Sequence, residues 1–166
     1  MFKSPFYFAH RINTLNQLRA LPESIGLEID LRDYDGRIFL SHEPFCKIEN
    51  LCEFNISFIK KLSNRPLIIN IKSERIETYV QSLLSEAGYL GEHFYLDSSF
   101  SVINKNGSSI SIAARFSDFE PLETCQRLAA SNLISWIWID TFKSLPISVS
   151  SVEYFLSSGI NTCLTS

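Results

Sequence analysis

Residues 26–42 of this 166-residue chain read GLEIDLRDYDGRIFLSH and have its clearest secondary-structure pattern. At the start of this stretch, apolar and polar side chains alternate strictly, with the two-residue period of a β-strand. The Asp35-Gly36 dipeptide that follows favours a tight hairpin turn. The stretch therefore predicts two antiparallel strands, over residues 27–34 and 37–41.

Alternation in the first of these strands places Glu28, Asp30 and Arg32 on one face and the apolar side chains on the other. If the polar face points into a protein interior, two carboxylates are costly to bury unless a cation neutralises them. A hard divalent ion such as Mg²⁺ or Ca²⁺, which prefers oxygen ligands, would do so. The alternative is a solvated face of an edge strand, with Arg32 as the neutralising partner.

Two histidines, His10 and His42, stand at the ends of predicted strands. A pair of imidazoles can act as general base and general acid in one reaction. The hairpin register complicates the position of His42, because a two-residue turn pairs Tyr34 with Arg37 and so puts His42 opposite Ile29, off the carboxylate face. We therefore expect a bulge, a longer turn or a departure from the strand at that point.

Outside this stretch, short apolar runs typical of strands alternate with segments of helical periodicity. Strands are predicted over residues 6–10, 67–72, 93–96, 110–115, 136–139 and 162–164. Helices are predicted over residues 14–20, 51–62, 74–87, 121–130 and 150–156, with a short one from residue 99. Strands that alternate with helices favour an α/β fold with a mostly parallel sheet.

The predicted strands tend to end, at their carboxyl side, on a polar or charged residue. These residues are His10, Asp30, Lys72, Asp97, Arg115 and Asp140. In a β/α barrel such ends meet on one face, where an active site is built, whereas an open doubly wound sheet usually carries a glycine-rich phosphate loop, which this sequence lacks. We therefore predict a single TIM-like (β/α) barrel domain over residues 1–166. Barrels usually take about 250 residues, so we expect a compact barrel that is incomplete at its C-terminus or belongs to a longer chain.

Composition narrows the range of partners and locations. Fifteen basic and eighteen acidic residues give a formal net charge of −3, which removes the electrostatic basis for nucleic-acid binding. No apolar run approaches the roughly 20 residues of a membrane helix, and the first residues lack a signal-peptide pattern, so membrane insertion is not expected. The four cysteines show no zinc-like spacing, so free thiols and a cytoplasmic location are expected. The sequence leaves the oligomeric state open.

Later strands carry further candidate side chains. Asn70 and Lys72 share one face of their strand, and Lys72 either binds a phosphate as a point charge or pairs with one of the carboxylates above. Trp136 and Trp138 also share a face and belong either to the core or to a ligand pocket. The third histidine, His93, begins its strand and is expected to be structural.

An ordered set of short motifs is more specific than any of its members. The set consists of Ala9-His10-Arg11, Asn13-Thr14-Leu15, residues 26–31, Asp35-Gly36 and Ser41-His42, followed more weakly by Asn70-Ile71-Lys72 and Ser98-Ser99-Phe100. It resembles the glycerophosphodiester phosphodiesterase family, within the wider group of phospholipase-C-like barrels. The resemblance implies a hydrolase that acts, with the help of a metal ion, on a small glycerol- or sugar-linked phosphodiester.

The same resemblance implies roles for individual residues. His10 and His42 would be the acid–base pair, and Arg11 and Lys72 would hold the phosphate. A neighbouring hydroxyl of the substrate would attack phosphorus first, and water would then open the resulting cyclic phosphate.

The resemblance also implies a divalent cofactor, Mg²⁺ or Ca²⁺, held by Glu28 and Asp30. Asn70 stands where the family places a third acidic ligand, and its amide oxygen can ligate the ion but supplies no charge. Milder departures are Ile12, where the family usually has glycine, and Glu43, where it has aspartate. The chain is therefore predicted to be either a phosphodiesterase with weakened metal affinity or an inactive barrel that binds a phosphate ligand or serves as an interaction module.

Overall fold

The computed structural model describes residues 7–165 of the chain. Their contacts divide the chain into two compact units, one up to His93 and one from Phe94 onward. Each unit combines strands and helices, so the α/β class predicted from the sequence is confirmed. The prediction that the whole chain forms one barrel domain stays a prediction.

The first unit contains five strands and three α-helices among its described residues. They are β1 (Phe8–Ala9), α1 (Leu15–Ala20), β2 (Gly26–Tyr34), β3 (Arg37–Leu40), β4 (Cys52–Glu53), α2 (Ile56–Ile59), β5 (Leu67–Ile71) and α3 (Glu77–Glu86). Single 3₁₀ turns cover Ile48–Asn50 and Lys60–Leu62. The predicted strand over residues 6–10 is confirmed at β1, and its first residue lies outside the described residues.

Strand β2 lies at the centre of this unit, with β1 and β5 parallel to it on either side. The register sets Asp30 beside Asn70 and Ala9 beside Leu27. Gly26 allows β1 to approach, because a Cβ at this position would lie 2.5 Å from a ring carbon of Phe8. The candidate site residues therefore lie at the carboxyl ends of three parallel strands, β1, β2 and β5.

The hairpin between β2 and β3 has the predicted two-residue turn. Asp35 and Gly36 have φ angles of 49° and 73°, the pair of positive values that defines a type I′ turn. Tyr34 pairs with Arg37, as the turn length requires. Strand β3 then ends at Leu40, so His42 leaves the ladder and the expected departure from the strand is confirmed.

The predicted helix over residues 51–62 is wrong in its first half. Cys52 and Glu53 instead form β4, which pairs with the edge of β3. The α-helix begins only at Ile56, after Asn55, whose side chain caps it by accepting a hydrogen bond from the Phe58 amide at 3.1 Å.

The second unit repeats the alternation of strand and helix. Its elements are β6 (His93–Leu96), which starts at the boundary, α4 (Phe100–Asn106), β7 (Ala113–Phe116), α5 (Leu122–Ala130), β8 (Trp136–Ile139), α6 (Val149–Ser157) and β9 (Asn161–Leu164). Strands β7, β8 and β9 are parallel and adjacent. Trp138 is 3% exposed and Trp136 stacks on Phe94 with ring centroids 4.5 Å apart, which favours the core alternative for both tryptophans.

The strand pairings within the described residues form open sheets, and no closed barrel is seen among them. Barrel closure therefore stays a prediction. No helix in residues 7–165 is long and apolar enough to span a bilayer.

Candidate active site

Glu28 and Asp30 are buried in β2, with 2% and 0% of their surfaces exposed. This burial rules out the solvated-edge alternative. Each oxygen of Glu28 has a protein donor: the Arg11 amide lies 2.7 Å from Oε2, and Asn70 Nδ2 lies 3.0 Å from Oε1. Two buried charges persist only where donors or cations compensate them.

Asp30 is held mainly by Asn13, which lies between β1 and α1. Asn13 Nδ2 donates to Asp30 Oδ2 at 2.8 Å, and Asn13 Oδ1 accepts the Asp30 main-chain amide at 2.9 Å. Asn13 is itself held in place, because its main-chain amide donates to Gln17 Oε1 in the capping box that Thr14 begins. The first turn of α1 thus positions the partner of a buried carboxylate.

Asn70 orients its amide according to the charge beside it. A carboxylate can only accept, so the amide nitrogen of Asn70 faces Glu28 and its oxygen points elsewhere. In the described part of the chain, the buried atoms Asn70 Oδ1 and Asp30 Oδ1 accept no hydrogen bond, although Lys72 Nζ lies 3.7 Å from the latter. Buried acceptors without donors are expected where a cation binds.

The three oxygen-bearing side chains fit a hard cation, but only two of them carry a negative charge. Two carboxylates and an amide oxygen lie on adjacent strands, and all three side chains are buried. Residues 7–165 contain no group of three His, Cys, Asp or Glu side chains that could hold a metal ion. On the adjacent strand, the side chain beside the two carboxylates is that of neutral Asn70, the third candidate ligand that the resemblance implies.

The cationic candidates lie on either side of this set. The Lys72 side chain is 18% exposed and pairs with Asp30, so the pairing alternative is what the structure contains. Arg11 takes a left-handed conformation, φ 55°, which directs its amide at Glu28. Arg11 as a whole is exposed to solvent.

His42 is fixed at both its ring and its main chain. Its Nδ1 lies 2.6 Å from Oε1 of Glu43, and its carbonyl oxygen accepts hydrogen bonds from Arg32 Nε at 3.4 Å and Nη2 at 3.0 Å. The hydrogen bond and charge of His42 lower the pKa of Glu43, and the charges of Arg11 and Arg32 act in the same direction. The loops that follow β1 and β3 therefore lie close together.

His10 is exposed and directly follows β1, and the Arg11 amide next to it donates to Glu28 Oε2. His93 bonds to the Gly91 carbonyl and to Gln81 Oε1, both at 3.1 Å, which agrees with a structural role. The structure thus brings together Glu28, Asp30, Asn70 and Lys72, and holds His10 and His42 on the two loops at the same edge.

Sequence reasoning missed the parts that Asn13 and Arg32 play. Alternation put Arg32 on the carboxylate face, but its guanidinium donates to carbonyl oxygens. Asn13 was part of the motif set, and its place directly before the N-cap residue Thr14 was the available signal.

A second polar cluster lies at the carboxyl ends of the strands in the second unit. Arg115 donates to Asp97 Oδ1, 2.6 Å from Nη2, and to Asp140. Asp140 also accepts from Trp138 Nε1 at 2.9 Å and Thr165 Oγ1 at 3.0 Å. Partial burial lowers the pKa of Arg115, but the two carboxylates raise it by more, so this guanidinium stays charged.

Three solved structures share the fold of this chain. A proposed glycerophosphoryl diester phosphodiesterase from Agrobacterium tumefaciens matches 96% of this chain and 83% of that chain, with a TM-score of 0.68 and 11% identity. A proposed glycerophosphodiester phosphodiesterase from Galdieria sulphuraria matches 97% and 84%, with a TM-score of 0.70 and 15% identity. The glycerophosphodiester phosphodiesterase of Thermotoga maritima matches 98% and 96%, with a TM-score of 0.59 and 11% identity.

Neither a family model nor a curated protein matches this chain by sequence. The resemblance predicted from its motifs is therefore confirmed at the level of the fold: the chain folds like glycerophosphodiester phosphodiesterases.

Proposed function

We propose that this chain is a metal-dependent phosphodiesterase that hydrolyses a small glycerol- or sugar-linked phosphodiester. The observation that carries the proposal is the buried pair Glu28 and Asp30, with Asn70 beside them. Within residues 7–165, Asp30 Oδ1 and Asn70 Oδ1 accept no hydrogen bond. The shared fold supports the reaction class and a TIM-like barrel architecture.

Glu28, Asp30 and Asn70 would hold Mg²⁺ or Ca²⁺, which supplies positive charge for the phosphoryl oxygens when bound. Asn13 keeps the Asp30 carboxylate in one orientation through its two hydrogen bonds. Lys72, whose Nζ lies 3.7 Å from Asp30 Oδ1, would also contact a phosphate oxygen. These residues together would bind the diester and balance its charge.

The two histidines would move the protons. One imidazole would take the proton from the attacking substrate hydroxyl as the new P–O bond forms, and the other would give a proton to the departing oxygen as its P–O bond breaks. Water would then open the cyclic phosphate, losing a proton as it attacks phosphorus while the oxygen of the substrate hydroxyl regains one. Glu43 at Nδ1 of His42 leaves Nε2 to face the substrate. Arg11, one residue after His10, would bind a phosphate oxygen.

Phosphorus NMR of a panel of glycerol- and sugar-linked phosphodiesters tests the proposal, with Mg²⁺, Ca²⁺ or a chelator present. We expect conversion that requires the ion and falls by about 10²-fold or more in His10→Gln and in His42→Gln, the usual range for loss of an acid or base. The matched control is His93→Gln, a histidine whose bonds stay within the structural framework.

Conversion that is equally fast in His42→Gln, or that persists with chelator, would contradict the mechanism. Complete absence of conversion by folded protein would favour the second candidate, a barrel that binds a phosphate ligand or acts as an interaction module. That candidate is supported by the Asn70 amide, which occupies a Glu28 oxygen and brings no charge of its own.

A further inference from the structure

Arg32 is the residue that joins the two sides of the candidate site. From β2 its Nε and Nη2 reach the His42 carbonyl oxygen, at 3.4 and 3.0 Å. Its Nη1 reaches the Lys72 carbonyl oxygen at 2.9 Å. One guanidinium thus spans the loop after β3 and the loop after β5.

Both carbonyl groups lie just beyond the ends of their strands. β3 ends at Leu40 and β5 at Ile71, although the Ser41 and Lys72 amides still donate to β2. The His42 and Lys72 carbonyls accept their hydrogen bonds from Arg32. Main-chain carbonyls in such positions need another partner or water. A planar guanidinium, with five donors in a fixed fork, can serve two carbonyls at once, which a lysine ammonium does less well.

The geometry points to a positioning role for Arg32: it fixes the main chain at His42 and Lys72 and so sets where the imidazole and the ammonium stand relative to the buried carboxylates. This inference rests on the proposed function for its effect on catalysis. Arg32 touches no reacting atom in this scheme. It acts through the two residues whose carbonyls it holds.

Glu43 completes the restraint on His42. Arg32 fixes the main chain of the histidine, and Glu43 fixes ring rotation through Nδ1 at 2.6 Å. A displacement of about 1 Å in a catalytic group can cost about 10²-fold in rate. Loss of the Arg32 bonds therefore reduces turnover without removing any acid, base or ligand.

The experiment compares Arg32→Ala with Arg37→Ala. Arg37 lies on the same hairpin, but its side chain is exposed and contacts Glu53 at 3.4 Å. We expect turnover of a phosphodiester that the unmodified protein hydrolyses to fall by about 10²-fold in Arg32→Ala only. Guanidinium ion at millimolar concentration is expected to restore part of that loss, whereas methylammonium at the same concentration is not.

A second readout does not depend on activity. The ring ¹³C–¹H NMR signals of the three histidines are assigned with His42→Gln. The His42 signal is expected to shift or broaden in Arg32→Ala, to return with guanidinium, and to stay unchanged in Arg37→Ala. If the alanine variant does not fold, Arg32→Lys keeps the aliphatic stem and replaces the guanidinium fork by a single ammonium. It is compared by turnover and by the His42 signal alone, without the rescue step.

The outcomes separate the two hypotheses. If the His42 signal moves and guanidinium restores it, but the unmodified protein hydrolyses no diester, the positioning role stands and the proposed function fails. If the unmodified protein is active and Arg32→Ala keeps both its turnover and its His42 signal, the positioning role is overturned. Rescue by methylammonium as strong as by guanidinium would overturn it as well.

Discussion

At residue 70, an amide stands beside a buried carboxylate instead of a second negative charge. Asn70 donates to Glu28 at 3.0 Å, whereas an acidic side chain there would repel it at the same distance. Two unit charges about 4 Å apart interact by about 4 kcal/mol at an effective dielectric constant near 20. This one position therefore governs how the site behaves with and without a cation.

Asn70→Glu is expected to tighten binding of Mg²⁺ or Ca²⁺ by at least about tenfold, or ~1.4 kcal/mol. The same variant is expected to melt at a lower temperature than the unmodified protein in chelator, because the new carboxylate faces Glu28 without compensation. Calorimetric titration and thermal unfolding measure the two effects.

Asn16→Glu is the control for net charge, since Asn16 is exposed on α1. It should leave both ion affinity and melting temperature nearly unchanged. Weaker binding of the ion by Asn70→Glu than by the unmodified protein would show that residue 70 does not contact the cation.

The sequence predicts those parts of the candidate site that depend only on the alternation of residues along a strand. Alternation gives the face of Glu28 and Asp30, and the strand end gives Lys72. Partners that come from elsewhere in the chain were not predictable. Whether Arg32 reaches a carboxylate or a carbonyl depends on where β3 and β5 stop, which the residue pattern does not state.

At the scale of elements, α1 shows how a short helix can serve a site. Six residues are too few for a stable isolated helix. The capping box between Thr14 and Gln17 fixes its first turn, and the same Gln17 oxygen accepts the Asn13 amide at 3.1 Å. Helix capping and carboxylate orientation are therefore linked through neighbouring residues.

Thr14→Ala is expected to destabilise the protein by about 1 kcal/mol, the typical cost of losing a side-chain cap. For a chain of this size the melting temperature should fall by roughly 2–4 °C. Denaturant unfolding followed by circular dichroism gives the free-energy difference.

Ser99→Ala provides the comparison, because Ser99 precedes α4 without a capping hydrogen bond from its side chain. Ser99→Ala should lower the free energy of unfolding by clearly less than Thr14→Ala does. Equal losses in the two variants would mean that the Thr14 cap contributes nothing specific.

The error over residues 51–62 has a physical cause. Apolar side chains at Leu51, Phe54, Phe58 and Leu62 have helical spacing, and periodicity alone favours one helix. The exposed edge of β3 competes for the same residues and pairs Phe39 with Glu53. Tertiary pairing overrides the local pattern there, and it is invisible in a single sequence.

At the scale of the whole molecule, the order of strands and helices was predictable and the division into two units was not. Most predicted elements have counterparts close to their predicted bounds, including β6 at residues 93–96 and β8 at residues 136–139. Contacts between distant segments decide how such elements group. The sharing of this fold at 11–15% identity shows how few specific side chains it requires.

Thiol reactivity reports on burial across the molecule. Burial raises the pKa of Cys125 and of Cys163 to about 11. Because the thiolate is the reactive form, a pKa near 11 leaves about one thiol in a thousand ionised at pH 8, compared with about one in ten at the ordinary value. We expect slow reaction of both with a disulfide reagent at pH 8 and faster reaction as the pH rises towards 11.

Cys46 lies partly exposed in the loop after His42. It should account for a fast phase in the reaction with the disulfide reagent at pH 8. Cys46→Ser is expected to remove that phase. All four cysteines are free, so denatured protein should titrate four thiols. A fast phase that survives Cys46→Ser would contradict the assignment.

The two-residue turn between β2 and β3 has a consequence for natural variation. Its length sets the register that carries His42 past Leu40 and within reach of Arg32. An insertion or deletion of one residue would send alternate side chains of β3 to the opposite face. Active relatives are therefore expected to keep the length of this turn even where another dipeptide with two positive φ angles, such as Asn-Gly, replaces Asp35-Gly36.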